Sequence, residues 1–371
     1  MNIVFAVHSV ASCWNHGNAH FLRGVMTALQ AAGHKVTAVE PADGWSRTNL
    51  LADAGEAALA AFAAAFPSLS PRLYRSRREA LALVEGSEPD LVIVHEWNEP
   101  GLVAALGARR KAGARFTLLF HDTHHRALSR PEEILRFDLS GYDGILAFGA
   151  SIVRLYERLG WTGRVWTWHE AADTRIFRPM PRVPPSGDLV WVGNWGDGER
   201  SAELREFLLE PATALRLRAT IYGVRYPDEA LAELTARGIR HGGWLANHRV
   251  PAIFATHRVT VHVPRRPYVE ALPGIPTIRV FEALACGIPL VSAPWSDDEG
   301  LFPAGAFLTA RDGQECRRHL AAVLADDGLA EELRRTGLAC IRERHTCDHR
   351  AAEVLAVHAA IAGPPRTERA A

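Results

Sequence analysis

Cysteine is scarce and scattered: Cys13, Cys286, Cys316, Cys340 and Cys347 are odd in number and form no Cys-x-x-Cys pair. That pattern offers neither a disulfide framework nor a structural zinc site, and it suits a reducing, cytoplasmic setting. Net charge is lacking too. Forty-two basic side chains balance forty-two acidic ones, so no overall field draws the chain to nucleic acid or to an anionic membrane, and a peripheral membrane contact has to be local. Long apolar runs are also missing. The start leads through Ile3 to Val7 with no basic leader and too short an apolar run for a secretory signal. The Ala-rich stretch from Leu51 to Phe66 carries Asp53 and Glu56 and is too short to span a bilayer, so it reads as a soluble helix. Glycine is short where a dinucleotide enzyme needs it. The loop after the first strand holds only Gly17, and although Glu40 sits where a ribose-binding acid would, the missing Gly-x-Gly-x-x-Gly argues against NAD.

What is present is a chain of 371 residues, 48% hydrophobic, long enough for two domains with substantial cores. Residues 3 to 7 read as a strand, Phe21, Leu22, Val25, Met26 and Leu29 fall at helical spacing, and Lys35 to Val39 reads as the next strand. This βαβ unit favours a parallel sheet. Leu91 to His95, Arg115 to Phe120, Gly144 to Phe148 and Arg164 to Trp168 continue the pattern. A Pro-rich stretch, 173–187, has no periodicity and reads as a linker between a first domain, 1–172, and a second, 188–345. The second half begins with a strand at Leu189 to Gly193 and a further one at Ala219 to Gly223. Helix 346–363 follows, and the Pro-Pro-Arg-Thr-Glu-Arg-Ala-Ala tail, 364–371, reads as disordered.

Three stretches carry candidate chemistry. Ligands of open parallel sheets bind at the carboxyl ends of the strands, so the cluster His121, Asp122, His124 and His125 is placed to face a cleft or, alternatively, to hold a metal. His16, Gly17 and Asn18 either approach a ligand or cap the following helix. In the second half, Gly193 and Asn194 open a glycine-containing loop that allows close approach of a phosphate, with Arg200 to neutralise it and Tyr222 and Gly223 ending the neighbouring strand. The basic run Arg72, Arg75, Arg77 and Arg78 beside Leu81 and Leu83 reads as one amphipathic helix, either solvated or turned to an anionic surface. Asp297, Asp298 and Glu299 read as a surface turn. His345 and His349, four apart, read as packing and capping residues.

The densest signal is Gly274-Ile-Pro-Thr-Ile-Arg-Val-Phe-Glu-Ala-Leu-Ala-Cys-Gly-Ile-Pro-Leu290. Pro276 and Thr277 make a helix start, Ile278, Phe281 and Ala285 share a face, Gly287 stops the helix, and Leu290 opens a buried strand. Arg279 and Glu282 share another face, and the unpaired N–H groups of residues 277 to 279 suit an anion. The alternative is an ordinary helix of a doubly wound sheet with a solvated Glu.

This stretch, together with Arg344-His-Thr-Cys-Asp-His-Arg350, resembles the spore-maturation-type branch of the GT-B glycosyltransferases, which carry a group 1 glycosyltransferase domain in the C-terminal half. The resemblance implies an α/β architecture of two doubly wound, Rossmann-like parallel-sheet domains facing a cleft, with the last helix crossing back to the first, acceptor-side domain. It implies metal-independent transfer of a sugar from a nucleotide diphosphate donor (UDP, GDP or dTDP) to an acceptor the sequence does not specify, with a retaining course and no prosthetic group. Glu282 would hold the ribose, Thr277, Ile278, Arg279 and Arg200 the diphosphate, and Tyr222 and Gly223 would lie beside the base or ribose. His121 or Asp122 would act on the acceptor side. Gly274 stands where many retaining relatives have a first glutamate, which leaves open a non-catalytic sugar-nucleotide-binding or scaffolding protein. A metal-dependent hydrolase at residues 121 to 125 and a sugar-nucleotide epimerase of the same fold remain the other readings.

Overall fold

The computed structural model describes residues 1–181, 183–196 and 198–363; the tail expected to be disordered, 364–371, lies outside the described residues. The first half alternates as β1 (Asn2–Ala6), α1 (Ala19–Ala31), β2 (Lys35–Pro41), α2 (Trp45–Ala65), β3 (Arg72–Tyr74), α3 (Arg77–Glu85), β4 (Leu91–His95), α4 (Pro100–Lys111) and β5 (Thr117–Asp122). It continues with α5 (Arg126–Ser129), α6 (Pro131–Leu135), β6 (Gly144–Ala147), α7 (Ala150–Arg158) and β7 (Val165–Thr167). All seven strands are parallel, in the order β3-β2-β1-β4-β5-β6-β7. Strand order reverses at β1, the switch point of a doubly wound sheet.

The second half repeats the plan. It runs β8 (Leu189–Val192), α8 (Ser201–Leu204), a π-turn into α9 (Glu210–Ala214), β9 (Ala219–Tyr222), α10 (Asp228–Ala236), β10 (Arg240–His241) and α11 (Val250–Phe254). Then come β11 (Val259–His262), α12 (Arg266–Glu270), α13 (Ile278–Cys286), β12 (Leu290–Ser292) and β13 (Leu308–Thr309), before α14 (Gly313–Ala325), α15 (Asp327–Arg344) and α16 (Cys347–Ala362). Its six strands are also all parallel, ordered β10-β9-β8-β11-β12-β13. Two parallel-sheet α/β domains are therefore present.

The last helix packs against α1, and its start is fixed by the Trp168 indole donating to Arg350 O at 2.9 Å and by a bridge between Ala172 and Thr346. Thr346 and His349 form a capping box, while His345 Nε2 meets Leu301 O at 2.8 Å. One apolar cluster runs from Phe21 and Met26 of α1 through Val280 and Phe281 of α13 to Val190 of β8 and Val354 of α16, joining the halves by burial. The five cysteines are buried and unpaired. Among the described residues no helix is long and apolar enough to cross a membrane.

Three local expectations change. The basic run at 72 to 78 is not one helix: Arg72 pairs with Val39 in an edge strand, and α3 starts only after Ser76, whose hydroxyl accepts from Glu79 N–H. Helix α2 is kinked at Gly55, where φ is 65°. Strand β5 runs on through His121 and Asp122, which pair with His95, Leu146 and Ala147 inside the sheet.

Candidate functional site between the two sheets

Carboxyl ends of strands from both sheets meet around a cavity of about 840 Å³, well within the range that encloses a substrate-sized ligand. From the first half come His8 after β1, Trp45 after β2, Trp97 after β4, Thr123 to Arg126 after β5, Phe148 after β6 and Glu170 after β7. From the second come Gly193, Asn194, Glu199 and Arg200 after β8, Gly223 to Arg225 after β9, and Val263 and Arg265 after β11. Residues 277 to 279, at the head of α13, close the gap.

The second-half wall is cationic. Arg200 donates to Val263 O at 3.1 Å, Asn194 O at 2.9 Å and Asn194 Oδ1 at 2.7 Å, and its guanidinium lies 5.1 Å from the Trp191 ring. All three oxygens are uncharged, and Arg200 Nε is buried without a partner. Arg265 donates to the same Asn194 Oδ1 at 3.2 Å and pairs with Glu199. Burial, and then Arg265 and Arg279 nearby, push the Arg200 guanidinium down to about 9. A cation held this way is stabilised by any anion that enters. Gly223 serves packing here: a Cβ would fall 1.8 Å from Gly193 O, so the two loops touch only because this residue has none. Tyr222 turns away from the cavity and packs against Gly242. Its expected place beside the nucleotide is corrected, and Gly223 and Val224 line the wall instead.

Glu282 is also corrected. The carboxylate has no exposed surface and lies outside the cavity lining. His20 Nδ1 stands 2.9 Å from Oε1, and Arg279 Nη1 pairs with Oε2. Burial raises its pKa, but Arg279 and His20 outweigh that and hold it below the usual range. Both oxygens are thus committed, so the side chain orients Arg279 rather than meeting a ribose in this conformation.

The head of α13 is not bare either. Ile278 N–H points at the Glu170 carboxylate, which also accepts from Asn18 Nδ2 at 2.7 Å. Burial, reinforced by Glu282, lifts Glu170 to about 7, although Asn18, Arg279 and Ile278 pull the other way. Glu199 contrasts with it. Burial raises Glu199, yet His125 and Arg265 overcome this and hold it at about 2. Thr277, Ile278 and Arg279 do line the cavity, and Gly17, Asn18 and His16 face them from the first half. An ideal Cβ on Gly17 would lie 3.2 Å from Ile278 Cγ2.

His121 and Asp122 do not reach the cavity, because they are the last two residues of the strand rather than the first of the loop. His121 is fully buried among Phe21, His95 and Trp168, and both its ring nitrogens lack partners. Asp122 accepts from Tyr156 Oη at 2.8 Å and is raised well above the carboxylate range by burial and by Glu96. His124 and His125 line the cavity while their two neighbours point into the sheet, so the four do not converge. Among the described residues no three His, Cys, Asp or Glu side chains are grouped to hold a metal ion.

Other residues join the site that sequence reasoning passed over. Arg265, Glu199, Glu170, Trp97 and His8 stand apart in sequence, and only the strand-end rule applied to every strand would have gathered them. Glu299, read as part of a surface turn, instead bridges the halves: it accepts from Ala150 N–H at 2.9 Å and lies 3.0 Å from His169 Nε2. Its Oε1 lies 3.0 Å from where a Cβ on Gly274 would be.

Comparison with known proteins agrees with this geometry. Residues 17–175 match the family described as Glycosyltransferase Family 4, and residues 200–356 match that described as Glycosyl transferase-like. No curated protein matches the sequence. Among solved structures, sucrose-phosphate synthase from Thermosynechococcus elongatus is similar at 14% identity and a TM-score of 0.66, over 97% of this chain and 98% of the other. Anabaena HepE, solved with UDP and glucose, gives 15% and 0.63 over 96% and 99%. A DNA-modifying β-glucosyltransferase, solved with and without uridine diphosphoglucose, gives 12% and 0.62 over 98% and 100%. These likenesses establish the fold.

Proposed function

We propose, from the premise that this GT-B chain carries a glycosyltransferase domain in each half and is a glycosyltransferase, that it moves a sugar from a nucleotide diphosphate sugar, UDP-linked in the first instance, to a hydroxyl acceptor. One observation carries the donor class: Arg200 is a guanidinium at the cavity wall whose hydrogen-bond partners are all uncharged. A diphosphate supplies the missing charge, with Arg265 and Arg279 nearby on the same lining.

In the reaction, the acceptor oxygen bonds to the anomeric carbon from the face the diphosphate leaves, as a retaining course requires in one step, while the bond from that carbon to the diphosphate oxygen breaks and its electron pair leaves with the nucleotide. Arg200 offsets the charge growing on the leaving group. The hydroxyl proton passes to Glu170, because a base poised near neutrality takes a proton and returns it with little penalty. Glu199, the other carboxylate on the lining among the described residues, is too acidic for that task.

Polar pairs across the gap hold the halves together around the substrate: His125 to Glu199 at 3.3 Å and Asn194 Nδ2 to Asn15 Oδ1 at 2.5 Å. Closure of this kind keeps water from intercepting the sugar. The spore-maturation-type branch and the retaining course are carried over from the C-terminal signature, and NMR of the anomeric proton in the product reads the second directly.

A panel of UDP-, GDP- and dTDP-sugars, scored for binding, for released nucleotide and for isomerised donor, tests the whole reading. Arg200-dependent binding with nucleotide release supports it. Binding without turnover favours a scaffolding protein, isomerised donor an epimerase, and no binding removes the donor site.

A further inference from the structure

The two walls of the cavity differ in chemistry. The first half presents indoles and imidazoles, with Glu170 as its lining carboxylate and Arg126 and Arg130 as cations paired with Glu96 and Glu133. Trp97 is 43% exposed and Trp45 is 54% exposed, although both line the cavity. Large aromatic rings are left open to water at a functional surface when something else is meant to cover them. The Arg126 guanidinium lies 3.8 Å from the Trp97 ring centre and covers one face, while His124 meets the ring edge-on at 5.4 Å. Arg126 itself is neutralised, by Glu96 at 2.6 Å and Glu133 at 3.2 Å.

Beside the indoles, His8 and His16 lie 4.0 Å apart, ring to ring. His8 Nδ1, His16 Nε2 and His124 Nδ1 are buried without hydrogen-bond partners. Burial pushes His8 down to about 4 and holds His16 and His124 well below the ordinary imidazole range, so all three are uncharged at neutral pH. A neutral imidazole nitrogen can accept from or donate to a hydroxyl.

Resting on the glycosyltransferase reading, we propose that the acceptor is a neutral saccharide whose pyranose ring lies on Trp97, with Trp45 at the outer edge and His8, His16 and His124 taking its hydroxyls. A pyranose offers one apolar C–H face for an indole and hydroxyls around its rim, which matches the exposed indoles and the unpaired imidazole nitrogens of this wall. A phenolic acceptor would stack but leave most of the imidazole nitrogens unpaired, at a cost each time. A nucleic acid would bring phosphates to a wall whose inner cation is already compensated.

The test uses the full chain with the nucleotide sugar that the donor panel selects. Acceptors are maltose, cellobiose and lactose, a uronic-acid disaccharide, 4-nitrophenol and a duplex oligonucleotide. Transfer to a neutral disaccharide is expected, with Trp97→Ala raising the acceptor KM about tenfold or more, Trp97→Phe recovering part of it, and donor Kd and melting temperature unchanged. Transfer only to the uronic acid, the phenol or DNA, transfer to none of these acceptors, or a Trp97→Ala acceptor KM equal to wild type, overturns the saccharide inference while donor binding keeps the transferase reading. Failure of every donor to bind overturns that reading itself.

Discussion

His20 Nδ1 and Glu282 Oε1 lie 2.9 Å apart across 262 residues of sequence, both buried, one on α1 of the first half and the other on α13 of the second. Asp173 N–H points at His20 Nε2 at 2.8 Å, so that nitrogen holds a lone pair and Nδ1 carries the hydrogen given to Glu282. Phe177 stacks on the imidazole at 3.9 Å. The chain Asp173, His20, Glu282, Arg279 therefore ties the segment leaving the first sheet to an arginine on the cavity wall.

Removing the carboxylate should cost stability as well as binding. Glu282→Ala leaves Arg279 and His20 without their buried partner, and breaking such a pair costs about 3–5 kcal/mol. Urea denaturation reads this. Full stability with donor binding abolished would instead return Glu282 to direct contact with the nucleotide.

Arg200→Ala should weaken UDP binding on the order of 10- to 100-fold, since a charge-assisted hydrogen bond contributes about 1.5–3 kcal/mol. Uridine without phosphate should bind the variant and the wild type alike. Calorimetry with both ligands decides it, and an equal loss for uridine would mean the wall had collapsed rather than lost a charge.

Glu170 sets an acid limb on activity. A base works in its deprotonated form, so kcat/KM should rise with pH through about 7, where the group titrates in the free enzyme. Glu170→Gln should remove that limb and lower kcat about 100-fold or more, with donor affinity retained. A limb that survives the substitution assigns the proton to another group.

Asp122→Asn should leave turnover within about threefold of wild type, because a buried carboxyl held by Tyr156 and raised toward its neutral form is replaced by a neutral group of the same shape. Steady-state kinetics beside a melting curve checks this. Lost turnover at unchanged melting temperature would place Asp122 at the chemistry.

Much of the fold was legible because it rests on local patterning. Thr277 does stand at the N-cap position of α13, though its side chain makes no capping hydrogen bond, Gly287 does end the helix with φ at 66°, and Leu290 does open a buried parallel strand. The stop is written in single residues: an αL glycine followed by Pro289 admits no continuation. The site was legible only in outline. Gly193, Asn194, Arg200, Gly223 and residues 277 to 279 line the cavity, as do His16, Gly17 and Asn18. The prediction for His121 and Asp122 failed by two residues of strand length, which is enough to turn a side chain from a loop into a sheet.

Composition and periodicity by themselves determined two parallel-sheet halves, strand ends that gather loops, and a C-terminal helix stop, because each depends on residues near one another in the chain. Which charges meet was decided by tertiary structure alone. Glu282 faces His20, Glu170 takes the head of α13, and Arg200 is left beside Arg265 with only uncharged partners, because Coulomb forces and desolvation act through space between residues more than 60 positions apart.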